Sequence, residues 1–338
     1  VAQYYYEHEE DEEITLQTHS RGKGINLVFL GDGFDAENIS NGDYLRVMNE
    51  QMERFFDIEP YHTYRDYFNV STAIAVSPES GIGTVNTIRN TKFETTFTGE
   101  VGLRGNYSTI FNYAMEVSPV DESNLNQSLI IVTPNTIDYG GITEMWTDGS
   151  AIAFCPLSED SYPYDARGII QHEAGGHGFG KLGDEYIYHN TFIDFCDCTC
   201  CEHVFEFNIA KSLGWYENLS LTGKMHEVPW SHLIFDDRYS DVVDIYEGGF
   251  MHARGVFRSE QNSCMNNNIS YYNAISREAI VKRIMEYAGE SYSFEKFVEN
   301  DKRDAVNSLS RSAERPGVTV RGNQYAPRIH KGKPDILK

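Results

Sequence analysis

The sequence has few basic residues and no long apolar run. Lys and Arg total 28 against 51 Asp and Glu, which gives a formal net charge of −23. A field of this sign repels phosphate, so no nucleic-acid or anionic-membrane partner is expected. No apolar run approaches the roughly 18 residues that a membrane-spanning helix needs, so no transmembrane segment is predicted. A basic, apolar leader is also lacking at Val1, so for an exported protein we expect the signal to have been removed.

The cysteines lack the two-residue spacing that is typical of zinc ribbons. Four of the six cysteines cluster at positions 196, 198, 200 and 201, whereas Cys155 and Cys264 stand alone. The cluster favours two or three disulfides over a reduced metal-binding loop, and this indicates an oxidising compartment. No G-x-S-x-G motif accompanies Cys264 and the serines near it, so a disulfide or a buried thiol is favoured over a nucleophile.

Strand-like and helix-like segments alternate along the first half of the chain. The strand predictions rest on β-branched and aromatic content, and the helix predictions on apolar spacing. Strands are predicted at 25–30, 67–76 and 128–133, and helices at 43–56 and 108–117. Asp148-Gly149 between Ile142–Trp146 and Ser150–Phe154 predicts a hairpin. Such alternation predicts a mixed α/β fold, with Ser150–Phe154 as an edge on which an extended peptide could pair.

Four divisions of the chain are predicted, although no linker or repeat marks a sharp boundary. Residues 1–24 form an acidic N-terminal tail, and residues 25–190 form the subdomain that carries the metal motif described below. Residues 191–310 form a C-terminal subdomain with the cysteine-rich loop. Residues 311–338 form an extended tail, which from Glu314 carries six Lys or Arg against two acids.

The chemistry is predicted to lie in the segment QHEAGGHGFGKLGDEY, residues 171–186. Two histidines that flank a glutamate can hold zinc through neutral imidazoles while a coordination position stays open. The metal lowers the pKa of bound water to roughly 7, and an adjacent carboxylate accepts its proton. His172 and His177 are therefore candidate zinc ligands, and Glu173 is the candidate general base.

The two histidines are five residues apart rather than the usual four. In a regular α-helix this spacing leaves the side chains about 140° apart, too far round to share one ion. An i→i+5 π-turn absorbs one extra residue, and Gly175-Gly176 makes such a distortion easy. We therefore predict a π-turn or an early helix break over Ala174–His177.

The downstream residues carry a family resemblance. Gly180 follows His177 by three residues, and Asp184-Glu185-Tyr186 follow Gly183. From His172 through Tyr186 the chain resembles the IgA-peptidase-like family of zinc metallopeptidases (M64), related to the metzincins, with one glycine inserted between the histidines. NLVFLGDGF at 26–34, IEPYHTYRDYFNV at 58–70 and a methionine-containing segment at 255–280 also resemble this family.

The resemblance implies a metzincin-like zincin with a twisted mixed sheet, an active-site helix and a Met-turn at Met265. The third zinc ligand is then expected at Asp184 or Glu185, because the metzincin spacing would place it at Gly183 and needs an offset of one residue. Asp184 is preferred because a shorter carboxylate suits a tight glycine turn. His189 is a further alternative for this ligand.

A hydrolase of this kind also needs a donor to the oxyanion that develops in its tetrahedral intermediate. Tyr272 is named as the candidate oxyanion donor, with Tyr186 and Tyr271 as alternatives. The predicted function is a zinc endopeptidase that hydrolyses an extended peptide or glycoprotein outside the cytoplasm, in the periplasm, at the cell surface or as a secreted bacterial protein. A non-catalytic binding module, motivated by the inserted glycine, and a zinc amidase on a non-protein substrate are the alternatives.

Overall fold

The computed structural model describes residues 8–194, 200–303 and 326–336. The strands are β1 Glu13–Gln17, β2 Ile25–Asp32, β3 Phe68–Ala73, β4 Thr96–Phe97, β5 Leu103–Arg104, β6 Leu129–Pro134, β7 Ile142–Trp146, β8 Ala151–Phe154, β9 Ile187–Phe192, β10 Leu219–Ser220, β11 Tyr246–Gly249, β12 Met251–Arg258 and β13 Arg328–His330. The α-helices are α1 Ala36–Ser40, α2 Asp43–Phe56, α3 Tyr107–Glu116, α4 Ala166–Ile170, α5 Cys200–Ser212, α6 Ser231–Ile234, α7 Cys264–Asn267, α8 Ala274–Ala288 and α9 Phe294–Asn300. A π-helix, Gln171–Phe179, continues α4, and single 3₁₀ turns lie at Arg65–Tyr67 and Leu125–Gln127.

A seven-stranded mixed sheet forms the centre of the molecule, in the order β1-β3-β2-β6-β8-β7-β13. Strands β3, β2, β6 and β8 run parallel, whereas β1 and β7 pair antiparallel with their neighbours β3 and β8. β6 and β8 are buried along their whole length, as expected for parallel strands covered on both faces. The predicted mixed α/β architecture is confirmed.

The predicted hairpin is confirmed, because β7 and β8 pair antiparallel across Asp148-Gly149. Gly149 has a φ of +108°, a backbone conformation that favours glycine. The prediction that Ser150–Phe154 is a sheet edge is wrong. β8 lies between β6 and β7, so its backbone is paired on both sides and is not open to a substrate strand.

Two strands come from segments that were predicted to be tails. β1 lies in the acidic N-terminal segment and pairs with β3, and β13 lies in the C-terminal segment and pairs in parallel with β7. β13 brings a guanidinium group and an imidazole to the buried carboxylate of Glu144 on β7. Nε2 of His330 lies 2.7 Å from its Oε2, and Nη1 of Arg328 lies 3.3 Å from its Oε1. The two segments are therefore not tails where they form these strands.

A second sheet holds β10, β12 and β11, and β9 pairs in parallel with β12. β9 follows directly after the predicted metal motif, so this sheet continues from the candidate site. The predicted division near residue 190 falls inside β9 and stays a prediction. The predicted disulfides of the cysteine-rich segment lie outside the residues whose side chains the structure describes.

α2 and α8 pack on β2 in the central sheet. The bounds of α2 are those predicted, because its apolar positions recur with helical spacing and all face the core. Cys155 and Cys264 are free, buried thiols, and burial raises the pKa of both. This agrees with the prediction that Cys264 is not a nucleophile. In the described part of the chain, no helix is both long and apolar enough to cross a membrane.

Candidate metal centre

The candidate site is built on the π-helix Gln171–Phe179. Its i→i+5 repeat places His172 and His177 on one face, which confirms the predicted π-turn. The helix is anchored by Gln171, whose Nε2 donates to the carbonyl oxygens of Arg54 (3.0 Å) and Asp57 (3.1 Å) at the end of α2. The inserted glycine is therefore absorbed by the helix rather than breaking the site.

Two glycines of the π-helix allow close packing beneath the histidines. A Cβ at Gly176 would lie 2.2 Å from Sδ of Met265, and a Cβ at Gly175 would lie 2.5 Å from the hydroxyl of Tyr272. Met265 is fully buried, so its thioether packs directly against the helix backbone. A larger residue at Gly176 would overpack the contact with Met265, and one at Gly175 would overpack the contact with Tyr272.

The chain leaves the helix in a tight turn. The amide of Gly180 donates to the carbonyl of Gly175 at 3.0 Å, and the amide of Leu182 donates to that of Gly176 at 3.0 Å. A Cβ at Gly180 would lie within 3 Å of both carbonyl oxygens, so glycine is needed there for close approach. The residue with left-handed backbone is Lys181, with a φ of +53°. This turn brings the Asp184 segment back to the histidines.

Three buried side chains, His172, His177 and Asp184, converge at one point. The two Nε2 atoms lie 3.1 Å apart, and Oδ1 of Asp184 lies 3.1 Å from each of them. Tetrahedral zinc with bonds of about 2.0–2.1 Å holds its ligand atoms about 3.3 Å apart. The three atoms therefore have nearly the separation that a shared ion requires.

The tautomers of both histidines also suit a metal. Nδ1 of His172 donates to the carbonyl of Cys264 at 3.0 Å, and Nδ1 of His177 donates to that of Leu182 at 2.7 Å. A carbonyl only accepts, so in the neutral rings both Nε2 lone pairs face Asp184. Three acceptor atoms thus meet in a buried space, an arrangement that a cation stabilises. Although burial opposes it, the imidazoles lower the pKa of Asp184 to about 2.

Glu173 lies beside the first histidine and is held by β7. The hydroxyl of Thr143 is 2.9 Å from both the carbonyl oxygen and Oε2 of Glu173. A Cβ at Gly141 would approach Cγ of Glu173 at 3.1 Å, so the glycine leaves room for this side chain. Burial raises the pKa of Glu173, and its electrostatic interactions with His172 and His177 oppose this increase. The carboxyl group is therefore more basic than an exposed glutamate.

The structure brings Asp184, and not Glu185, to the histidines. Oε1 of Glu185 accepts from Nδ2 of Asn218 at 2.8 Å and from Nδ2 of Asn273 at 2.7 Å. Asn218 also exchanges two hydrogen bonds with the backbone of Gly183, at 2.9 and 2.8 Å. The two asparagines thus fix the loop that presents Asp184. Sequence reasoning missed both, because they lie 33 and 88 residues from Glu185.

The hydroxyl of Tyr272 is used inside the fold. It donates to the carbonyl of Gln171 and is fully buried. The hydroxyl of Tyr271 donates to Oε2 of Glu260 at 2.6 Å. Both tyrosines therefore support the structure around the π-helix. The prediction of Tyr272 as an oxyanion donor is not supported by this geometry.

Tyr186 is placed differently, next to the three converging side chains. Its ring stacks on His172 with centroids 6.2 Å apart, and its buried hydroxyl has no hydrogen-bond partner among the described residues. Burial raises its pKa, and the neighbouring Asp184 raises it further. His189 is exposed on β9 and does not join the triad.

A family model described as IgA Peptidase M64 matches residues 14–211. The chain belongs to this family. The matched range covers more than half of the chain and includes the π-helix and Asp184. IgA peptidases of this type are metallopeptidases, and the buried triad could bind a metal. Comparison with curated proteins gives no match.

Proposed function

We propose that this member of the IgA peptidase family is a zinc endopeptidase with a metzincin-like site. The observation that carries the proposal is the convergence of His172, His177 and Asp184 at mutual distances of 3.1 Å. These residues would hold the ion, with Met265 as the apolar floor of a Met-turn. The zinc, when bound, would polarise the scissile carbonyl and lower the pKa of attacking water to about 7.

Glu173 acts as the general base and then as the general acid. It takes a proton from the attacking water and passes it to the leaving amine nitrogen as the tetrahedral intermediate collapses and the C–N bond breaks. Thr143 orients its carboxylate, and burial makes that carboxylate more basic. Tyr186 replaces Tyr272 as the proposed oxyanion donor, because its ring stacks on His172 and its hydroxyl lies close to Asp184.

The structure removes the reason for the alternative of a non-catalytic binding module. It rested on the inserted glycine, and the π-helix accommodates that residue while keeping both histidines on one face. We also propose an extracytoplasmic location, on the resemblance and the cysteine cluster. Extended peptides or glycoproteins are the proposed substrates, and the chain offers no basic excess for nucleic acid.

The experiment compares zinc content and hydrolysis in four proteins: wild type, Glu173→Gln, Asp184→Asn and Glu185→Gln. Zinc is measured by elemental analysis, and hydrolysis with denatured casein and a quenched fluorescent peptide library. Glu173→Gln should keep its zinc and lose at least about 100-fold in kcat. Asp184→Asn should lose about one zinc per chain together with activity.

Glu185→Gln is the matched control, because Oε1 can still accept from both asparagines. It should keep zinc and hydrolysis. Zinc lost in Glu185→Gln but retained in Asp184→Asn would reverse the ligand assignment. Full turnover in Glu173→Gln would exclude that residue as the base. Cleavage of small acylated amides, but of no peptide, would favour the zinc amidase alternative.

A further inference from the structure

A second group of imidazoles lies behind the loop that carries Asp184. It consists of His203 on α5, His252 on β12 and His189 on β9. Nδ1 of His203 lies 2.9 Å from Nε2 of His252. The ring of His189 lies with its centroid 5.6 Å from that of His252. Two histidines from different elements are therefore in direct contact, and a third from another element lies beside them.

The His203–His252 pair has a nitrogen separation similar to that of the pair in the π-helix, although it joins Nδ1 to Nε2 rather than two Nε2 atoms. Its nitrogen separation of 2.9 Å compares with 3.1 Å between His172 and His177. The other ring nitrogen of His252, Nδ1, lies 3.2 Å from the hydroxyl of Thr191. A polar partner on the far nitrogen is the usual way in which a ligating histidine is oriented.

The protonation of the pair also suits metal binding. His252 is fully buried, and burial, together with electrostatic interactions with His203 and His189, lowers its pKa to about 4. Burial and His189 lower the pKa of His203 as well. Both rings are therefore neutral near pH 7, as a metal ligand must be.

We propose that His203 and His252, completed by His189, bind a second divalent transition-metal ion, for which zinc is the probe. His189 and His252 are directly paired in the parallel register of β9 and β12, so their side chains share one face. The imidazole of His189 is exposed, and the proposal requires this side chain to rotate toward the pair to supply a third nitrogen. Imidazole ligands suit zinc, copper and nickel.

Such an ion would brace the segment that presents the triad. The amide of Phe250 donates to the carbonyl of Asp184 at 2.8 Å, and the amide of Met251 donates to that of Tyr186 at 3.0 Å. His252 follows these two residues on the same strand. The ion would thus tie α5 and β9 to the backbone that holds Asp184 in place.

The test counts zinc after dialysis against zinc and then buffer, in the His177→Ala background, which removes the site in the π-helix. This background should retain about one zinc per chain. His177→Ala/His252→Ala and His177→Ala/His203→Gln should retain none. His177→Ala/His226→Ala is the matched control and should keep the ion, since His226 is exposed and stacks on Phe235.

Cobalt gives a second measurement that does not depend on folding of the double variants. Cobalt added to His177→Ala should produce the visible absorption of a tetrahedral site, and zinc should quench it. If His177→Ala retained no zinc and gave no cobalt spectrum, the proposal would be overturned, and His203 and His252 would be only a hydrogen-bonded pair of imidazoles.

A further variant tests whether the cysteine cluster, rather than the histidines, binds the zinc. It replaces Cys196, Cys198, Cys200 and Cys201 with serine in the His177→Ala background. Zinc retained in this variant and lost in His177→Ala/His203→Gln supports the histidine site. The opposite pattern overturns it and assigns the metal to the cysteines.

Discussion

Replacing Gly176 with alanine tests whether the π-helix depends on direct contact with Met265. An ideal Cβ at Gly176 lies 2.2 Å from Sδ and 2.9 Å from Cε of Met265. Favourable contact needs about 3.5–4.0 Å, so the thioether must move by more than about 1 Å. The backbone carbonyl of Met265 accepts from the amide of Glu185 at 2.8 Å, so this movement strains the ligand loop.

Gly176→Ala is expected to change the free energy of unfolding in opposite directions in the wild type and in Met265→Ala. Overpacking costs about 1–3 kcal/mol, whereas alanine in place of glycine favours a helix by about 1 kcal/mol. In the wild type, Gly176→Ala should therefore lower the free energy of unfolding by up to about 2 kcal/mol. In Met265→Ala the obstacle is gone, and the same change should raise it by about 1 kcal/mol.

The assay is urea unfolding followed by circular dichroism, with a chelator present so that metal binding does not contribute. Gly175→Ala is the control. Its Cβ would meet the hydroxyl of Tyr272 and not Met265, so its effect should be the same in both backgrounds. If the effect of Gly176→Ala also agreed between backgrounds within about 0.5 kcal/mol, the direct contact would be refuted.

Three further predictions concern buried charges away from the triad. Lys181 is buried, its Nζ lacks a hydrogen-bond partner among the described residues, and burial lowers its pKa well below the ordinary value. Lys181→Met should therefore raise the free energy of unfolding by about 1–3 kcal/mol at pH 7. This difference between variant and wild type should shrink toward pH 10, because the lysine of the unfolded wild type then also loses its proton. An equal difference in unfolding free energy at pH 7 and pH 10 would contradict the prediction. Asp301 accepts hydrogen bonds from Nε and Nη2 of Arg277 at 2.6 and 2.7 Å. Asp301→Ala should therefore lower the free energy of unfolding, measured with urea, by about 3–5 kcal/mol. The double variant Arg277→Met/Asp301→Leu should recover most of this stability. Burial alone would raise the pKa of Glu278, but its hydrogen bond with His232 lowers that pKa below the ordinary value. The Glu278 carboxylate therefore stabilises the fold above about pH 4.5, and this contribution is lost on acidification. Thermal unfolding between pH 7 and 3 should show a steeper acid loss in the wild type than in Glu278→Gln, and parallel curves would contradict it.

The spacing of apolar residues predicted the elements whose structure depends mainly on their own sequence. α2 has the predicted bounds because one face repeats apolar residues with helical spacing. The π-helix followed from a different argument: a five-residue histidine spacing can share one ion only if the helix is widened. The preference for Asp184 as the third ligand agrees with its position 3.1 Å from both histidines.

Features that depend on distant partners were not predictable. The strand character of Ser150–Phe154 was clear, but its place between β6 and β7 depends on the order of the whole sheet. β1 and β13 are short and polar, and they are strands because β3 and β7 offer them backbone partners. Tyr272 was one of 22 tyrosines, and nothing local showed that its hydroxyl meets the carbonyl of Gln171.

The pairing of β13 with β7 makes residues near the end of the sequence relevant to the candidate base. Glu144 is fully buried, and the guanidinium of Arg328 and the imidazole of His330 lie against its carboxylate. Its neighbour on β7, Thr143, holds Glu173. A protein shortened before residue 326 would leave a buried carboxylate without these two partners and β7 without a neighbour on its outer side. Truncation at a point far from the zinc motif in sequence would then act one residue away from the side chain that positions the base.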